Sequence, residues 1–180
     1  MIDWAVTPDW TLFLDRDGVI NRRLIDEYVR NWSDFEFEPG VLETLAALAP
    51  RFRTIVIVTN QRGIARGLMT EADLARVHER MSSEIEQAGG RIDGIYHCPH
   101  DRHTGCACRK PGIGLAEQAR RAHPHIDFTR SLMVGDSASD MEFADRAGMK
   151  KLFIGPDAPG SVAPGCRLAR LSELPARLGF

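Results

Sequence analysis

No apolar run in this 180-residue chain approaches the ~20 consecutive residues that a membrane-spanning helix needs. The opening stretch, Met1-Ile-Asp-Trp-Ala-Val6, has neither the basic nor the apolar segment of a secretory leader. A basic excess is missing too: 23 Lys and Arg stand against 25 Asp and Glu, for a net charge of -2. General binders of nucleic acid or of anionic membrane surfaces usually carry such an excess, so both classes are disfavoured. There is no internal repeat and no low-complexity tract, which argues against a solenoid or an array. These absences place the chain in the cytoplasm. Cysteine is scarce, at four residues. Three of them, Cys98, Cys106 and Cys108, fall within eleven positions, with His100 between. In a cytosolic chain such a cluster points to a metal rather than to disulfides. Cys166 lies apart and is read as a plain thiol.

What is present is an ordinary globular composition, 43% hydrophobic and 27% charged. The length suits one domain over residues 1–180 with a full core. Strand and helix signals alternate. Thr11–Leu14 reads as a short buried strand and Thr54–Val58 as a β-branched run without polar alternation. Ile92–Tyr96, Ser131–Val134 and Lys151–Ile154 complete five strands. Helices are expected from Val41, after a capping box at Thr70–Asp73, over Leu115–Ala122, around Met141–Ala147 and at Leu171–Leu178. The second of these puts Leu74, Val77, Met81 and Ile85 on one face. Residues 156–164 read as a loop. The alternation predicts an α/β fold of three layers, Rossmann-like, with a mostly parallel five-stranded sheet. No block is left over for a large cap domain.

In such sheets the chemistry sits beyond the carboxyl ends of the strands. The polar outliers fall there: Asp15 and Asp17 after the first strand, Thr59 and Asn60 after the second, Asp136 after the fourth. Those three strands must therefore be neighbours. Lys110, in Arg-Lys-Pro, and Asp140 complete the set. Asp-x-Asp-Gly alone is a common turn. Joined to the other strand ends in this order, it is a constellation.

The matching segments are Phe13-Leu-Asp-Arg-Asp-Gly-Val-Ile-Asn21, Val58-Thr-Asn-Gln-Arg-Gly-Ile-Ala-Arg-Gly67, Asp93-Gly-Ile-Tyr-His-Cys-Pro-His100, Cys106-Ala-Cys-Arg-Lys-Pro111 and Met133-Val-Gly-Asp136. Through them the chain resembles the haloacid dehalogenase superfamily of phosphotransferases, within its capless branch. That branch holds D,D-heptose bisphosphate phosphatases, histidinol-phosphate phosphatases and DNA 3′-phosphatase domains. The resemblance implies a Mg²⁺-dependent phosphatase. Asp15, the Asp17 carbonyl and Asp136 would hold Mg²⁺, a hard cation that favours oxygen. Asp15 would form an aspartyl-phosphate and Asp17 would move the protons. Thr59 and Lys110 would bind the phosphoryl oxygens, and Asp140 would orient the metal's water shell. Arg16 is expected to be a structural or surface residue.

Cys98-Pro-His100 and Cys106-Ala-Cys108 can surround one tetrahedral Zn²⁺. Four ligands close the site to water, so this zinc would be structural and would pin the loop that presents Arg109 and Lys110. His97 and His103 are less natural alternatives. For the substrate, Gly63–Gly67 and Asp93–Tyr96 look like the heptose branch. The five-residue gap from His100 to Cys106 looks like the histidinol-phosphate branch. Two departures from the heptose pattern are Arg23, where that pattern is acidic, and Ser137, where it tends to have lysine. Arg62, Arg66 and Arg109 are candidates for a second, non-reacting phosphate. Asn60, Gln61 and Tyr28 are further substrate candidates. The expected partner is a small phosphorylated metabolite, a sugar bisphosphate first, with neither nucleic acid nor membrane, and the protein a monomer.

Overall fold

The computed structural model describes residues 4–180. Met1–Asp3, part of the stretch searched for a leader, lie outside the described residues. Over these residues the chain forms β1 (Thr11–Leu14), β2 (Thr54–Asn60), β3 (Gly94–Cys98), β4 (Ser131–Gly135), β5 (Lys150–Ile154) and β6 (Arg167–Leu168). All pair in parallel, in the order β3-β2-β1-β4-β5-β6. The sheet is parallel and three-layered as expected, with one strand more. That strand is two residues long and pairs with Phe153 and Ile154. Two residues leave no apolar period to find.

Strand residues alternate between two layers. Leu12, Leu14, Ile55 and Ile57 pack with Val41 and Leu45 of α1 (Val41–Leu48) and with Val77 and Met81 of α2 (Glu71–Gln87). Phe13, Val56 and Val58 face the other way. They meet Leu115 and Ala119 of α3 (Gly114–Ala122) and Phe143 and Ala144 of α4 (Ala138–Ala147). Because both faces of β2 are covered, its Ile55–Val58 stretch is apolar without alternation. All four predicted face residues of α2 are buried. Its capping box closes both ways: the Asp73 amide donates to Thr70 Oγ1 at 3.1 Å and the Thr70 amide to Asp73 Oδ2 at 2.8 Å. The expected closing helix is split into a 3-10 turn, Leu171–Glu173, and α5 (Leu174–Leu178). Pro175 lies in the first turn of α5, where its missing N–H costs nothing.

β1 lies between β2 and β4, so the chain crosses over in opposite directions from it and the sheet mouth opens there. The longest stretch between core elements is residues 15–40, tied by the bridges Asp17–Asn21 and Asn21–Phe37. Among the described residues no inserted cap domain is present, and no helix is long and apolar enough to cross a membrane.

Candidate active site

A cleft of about 800 Å³ lies at the carboxyl ends of β1, β2 and β4. Asp15, Asp17, Thr59, Asn60, Gln61, Lys110, Asp136 and Asp140 all line it. Asp15 follows β1 directly, its amide donating to Val134 O at 3.0 Å. Its Oδ1 stands 2.9 Å from Lys110 Nζ. The same ammonium lies 2.6 Å from Asp140 Oδ1 and donates to Val58 O at 2.7 Å. Burial works against charge on Lys110, but Asp140 and Asp15 outweigh it and raise its pKa. Asp15 is pushed up to about 8, chiefly by burial, with Asp140, Asp136 and Asp17 adding to the rise and Lys110 opposing it.

Carboxylate oxygens of Asp15, Asp136 and Asp140 come within 4.8 Å of one another. Asp136 Oδ1 is buried without a hydrogen-bond partner. Burial and Asp140 raise the Asp136 pKa, with Arg23 opposing. An all-oxygen, crowded acidic set with an orphaned oxygen suits a hard divalent cation. Gly18 is what lets the loop fit against it. Its φ is 89°, and a Cβ there would run into the Asp136 carboxylate. Asp140 is fully buried and committed on both oxygens: Oδ1 to Lys110, Oδ2 to the Ser137 amide at 3.0 Å in the capping box of α4. That geometry anchors the lysine, with the Asp140 carboxylate still among the three that converge at the cleft.

Asp17 sits in a cradle. Arg16 Nη2 donates to its Oδ1 at 2.9 Å and Oδ2 at 3.0 Å. Asn21 Nδ2 adds a bond to Oδ1 at 3.0 Å and Gln61 Nε2 one to Oδ2 at 2.9 Å. Burial would raise the Asp17 pKa, but Arg16 and these hydrogen bonds hold it below the usual carboxylate range. Arg16 is fully buried, so of its two expected placements the surface one is corrected. An arginine in that position is buried because a carboxylate meets it there.

The candidate substrate residues divide. Gln61 is buried, and its amide donates to Thr59 Oγ1 at 2.9 Å as well as to Asp17. Asn60 brackets the Lys110 main chain, accepting from its amide at 3.0 Å and donating to its carbonyl at 3.2 Å. Both side chains are therefore engaged in building the site. Arg62 and Arg109 line the cleft. Arg62 Nε bonds Asp101 Oδ1 at 3.1 Å and Arg109 Nη1 the His100 carbonyl at 3.3 Å. Arg66 stacks over the Tyr28 ring, 5.8 Å from its centroid, and both line the cleft.

On the loop beside them, Cys98 Sγ lies 3.5 Å from His100 Nδ1, 3.6 Å from Cys106 Sγ and 3.2 Å from Cys108 Sγ. His100 Nδ1 and Cys108 Sγ are 3.2 Å apart. Ligands of a tetrahedral zinc, with Zn–S of ~2.3 Å, stand roughly 3.5–3.8 Å from each other. The four side chains thus converge closely enough to hold one metal ion. Burial pushes the Cys98 thiol up to about 12, so a bound cation would have to displace its proton.

The profile of the polynucleotide kinase 3 phosphatase family matches residues 11–157. The chain belongs to this phosphatase family. Among its relatives, the D-glycero-alpha-D-manno-heptose-1,7-bisphosphate 7-phosphatase of Mycobacterium bovis is 46% identical over 135 residues, covering 75% of this chain and 71% of the relative. The D-glycero-beta-D-manno-heptose-1,7-bisphosphate 7-phosphatase of Bordetella bronchiseptica is 39% identical over 137 residues, or 76% of this chain and 75% of the relative. The crystal structure of D,D-heptose 1,7-bisphosphate phosphatase from B. bronchiseptica, complexed with magnesium and phosphate, matches with a TM-score of 0.83 at 32% identity. The match covers 94% of this chain and 97% of that one.

Three residues of this phosphatase escaped sequence reasoning as parts of the site. Arg23, noted only as a departure, donates to Asp136 Oδ2 at 2.9 Å. Arg102, between His100 and Cys106, lines the cleft and is exposed. His78 is buried on α2 and touches Arg16, 62 positions away in sequence. No local signal marks any of them; the departure at Arg23 was the one available hint.

Proposed function

We propose that the chain is a Mg²⁺-dependent phosphomonoester hydrolase that acts on D-glycero-D-manno-heptose 1,7-bisphosphate at the 7-phosphate. The observation that carries this reading is the meeting of Asp15, the buried Lys110 ammonium and Asp136 at one strand mouth. The chain around them is similar over most of its length to enzymes named for that activity.

The chain's own groups supply the chemistry. Lys110 and the Thr59 hydroxyl receive the phosphoryl oxygens. An Asp15 oxygen bonds to phosphorus as the bond to the sugar oxygen breaks, and the leaving alkoxide takes its proton from Asp17. Water then attacks the aspartyl-phosphate, giving its proton back to Asp17. Inorganic phosphate leaves and Asp15 is restored. Magnesium held by Asp15, Asp136 and the Asp17 carbonyl would neutralise charge on the phosphoryl group. Asp17 must loosen part of its cradle to carry a proton, since both its oxygens already accept two hydrogen bonds.

The test is phosphate release from heptose bisphosphates, histidinol phosphate and 3′-phosphorylated DNA, in wild type and Arg109→Ala. The heptose bisphosphate should be preferred. Arg109→Ala should raise its KM on the order of ten- to a hundredfold, since a lost charge-assisted contact is worth roughly 1.5–3 kcal/mol. p-Nitrophenyl phosphate, too small for a second anion site, should be nearly unaffected. Preference for histidinol phosphate would overturn the substrate. DNA is disfavoured because, among the described residues, Tyr28 is the one aromatic lining the cleft, too little for a stacking platform.

For the metal loop the reading is one structural Zn²⁺ on Cys98, His100, Cys106 and Cys108. Elemental analysis of the purified protein should give about one zinc per chain. A Cys106→Ser/Cys108→Ser variant should lose it, with substrate affinity falling before the global fold does, because the sheet has its own two-sided core. Zinc-free protein with full affinity would refute this.

A further inference from the structure

Behind the catalytic carboxylates lies a contact that the proposed reaction does not yet use. Arg16 is fully buried, and its Nε has no hydrogen-bond partner. Its Nη2 is spent on Asp17, and its Nη1 stands 3.1 Å from His78 Nε2. A guanidinium only donates, so His78 Nε2 must accept and the imidazole carries its proton on Nδ1. The site of His78 agrees with this. It is buried among the α2 residues that face the sheet, and burial first, then Arg16 and His97, push its pKa down to about 3. Beyond it, His97 lies with ring centroids 6.1 Å apart and bonds Glu71 at 2.7 Å.

We propose that His78 is a positioning residue for proton transfer: as a fixed neutral acceptor it holds Arg16 in place, and Arg16 in turn fixes the Asp17 carboxylate against the leaving-group oxygen. The argument is one of satisfiable bonds. Asp17 is joined to Arg16 through one nitrogen alone, which by itself permits the guanidinium to pivot. The second nitrogen, pinned by His78, removes that freedom. Without an acceptor there, a buried N–H is left unmet and the guanidinium turns to find another, taking the carboxylate with it. His78 does not line the cleft, so substrate binding is not its task.

This inference rests on the phosphatase reading above, and the test separates the two. Benzyl phosphate and p-nitrophenyl phosphate have similar size, but only the first expels an alkoxide that needs a proton as it leaves. kcat/KM reports the steps up to that departure. His78→Leu should lower kcat/KM for benzyl phosphate roughly tenfold, part of what a general acid supplies, and for p-nitrophenyl phosphate less than about twofold. His78→Gln, which keeps an acceptor at similar reach, should restore most of the loss. The ratio of the two substrates is taken within one sample, so any misfolded fraction cancels. Equal losses for both substrates, an unchanged ratio, or a glutamine variant no better than leucine would overturn the proposal. Absence of phosphate release by the wild-type protein from either substrate and from heptose bisphosphate, with Mg²⁺ present, would instead overturn the phosphatase reading itself.

Discussion

Asp15→Asn is expected to lower kcat by roughly a thousandfold or more, the scale on which a nucleophile's loss is felt in enzymes that form covalent intermediates. The metal-free variant should nevertheless be more stable than the parent at pH 8. Both effects have one origin. Asp15 is buried beside Asp140, Asp136 and Asp17, with Lys110 as its compensating neighbour, and its pKa is raised to about 8. Between the ordinary carboxylate value of 3.8 and about 8, the native state keeps a proton that the unfolded chain releases. The unfolded state then binds fewer protons, so stability of the metal-free parent falls as pH rises through that window. A neutral asparagine is exempt from this loss. The melting-temperature difference in chelator should be small near pH 4 and should widen in the variant's favour towards pH 8. Retention of more than a few per cent of activity would remove Asp15 from the chemistry. A variant less stable than the parent at pH 8 would show that the carboxylate is not crowded as described.

Much of the architecture was legible because its signals are local. The Thr54–Val58 run announces a strand covered on both faces, and the α2 residues Leu74, Val77, Met81 and Ile85 announce one buried stripe. The requirement that β1, β2 and β4 adjoin follows from where the polar residues fall, and the sheet order meets it. What stayed hidden depends on distance in sequence. β6 is two residues long and exists because β5 presents an edge to it. Arg16 reads as either a structural or a surface residue until Asp17 and His78 are seen to enclose it. That the amides of Asn60 and Gln61, which line the cleft, also bind the Lys110 main chain, Thr59 and Asp17 is invisible in the sequence. Sequence patterns name the groups at a strand end; they do not say which of those groups spend their hydrogen bonds on one another.

Removal of divalent ions is expected to stop turnover, and Mg²⁺ to restore it, with an affinity that depends on pH. Asp15 must give up its proton to become a ligand, and in the metal-free protein it holds that proton up to about pH 8. Binding therefore releases a proton, and the apparent affinity should strengthen by up to about tenfold per pH unit between roughly pH 6 and 8, then level off. Lys110 does not blur this trend: Asp140 and Asp15 raise its pKa, so it keeps its charge throughout. Arg23, 2.9 Å from Asp136 Oδ2, also keeps its charge, because Asp136 raises its pKa further. The slope thus reports Asp15, and Asp136, whose pKa burial also raises, acts in the same direction. Titration calorimetry in two buffers of different ionisation enthalpy measures both the affinity and the proton released. In Asp15→Asn the proton release should largely vanish, along with most of the affinity. An affinity flat from pH 6 to 8, or full activity after exhaustive removal of divalent ions, would assign the acidic cluster to something other than a catalytic cation.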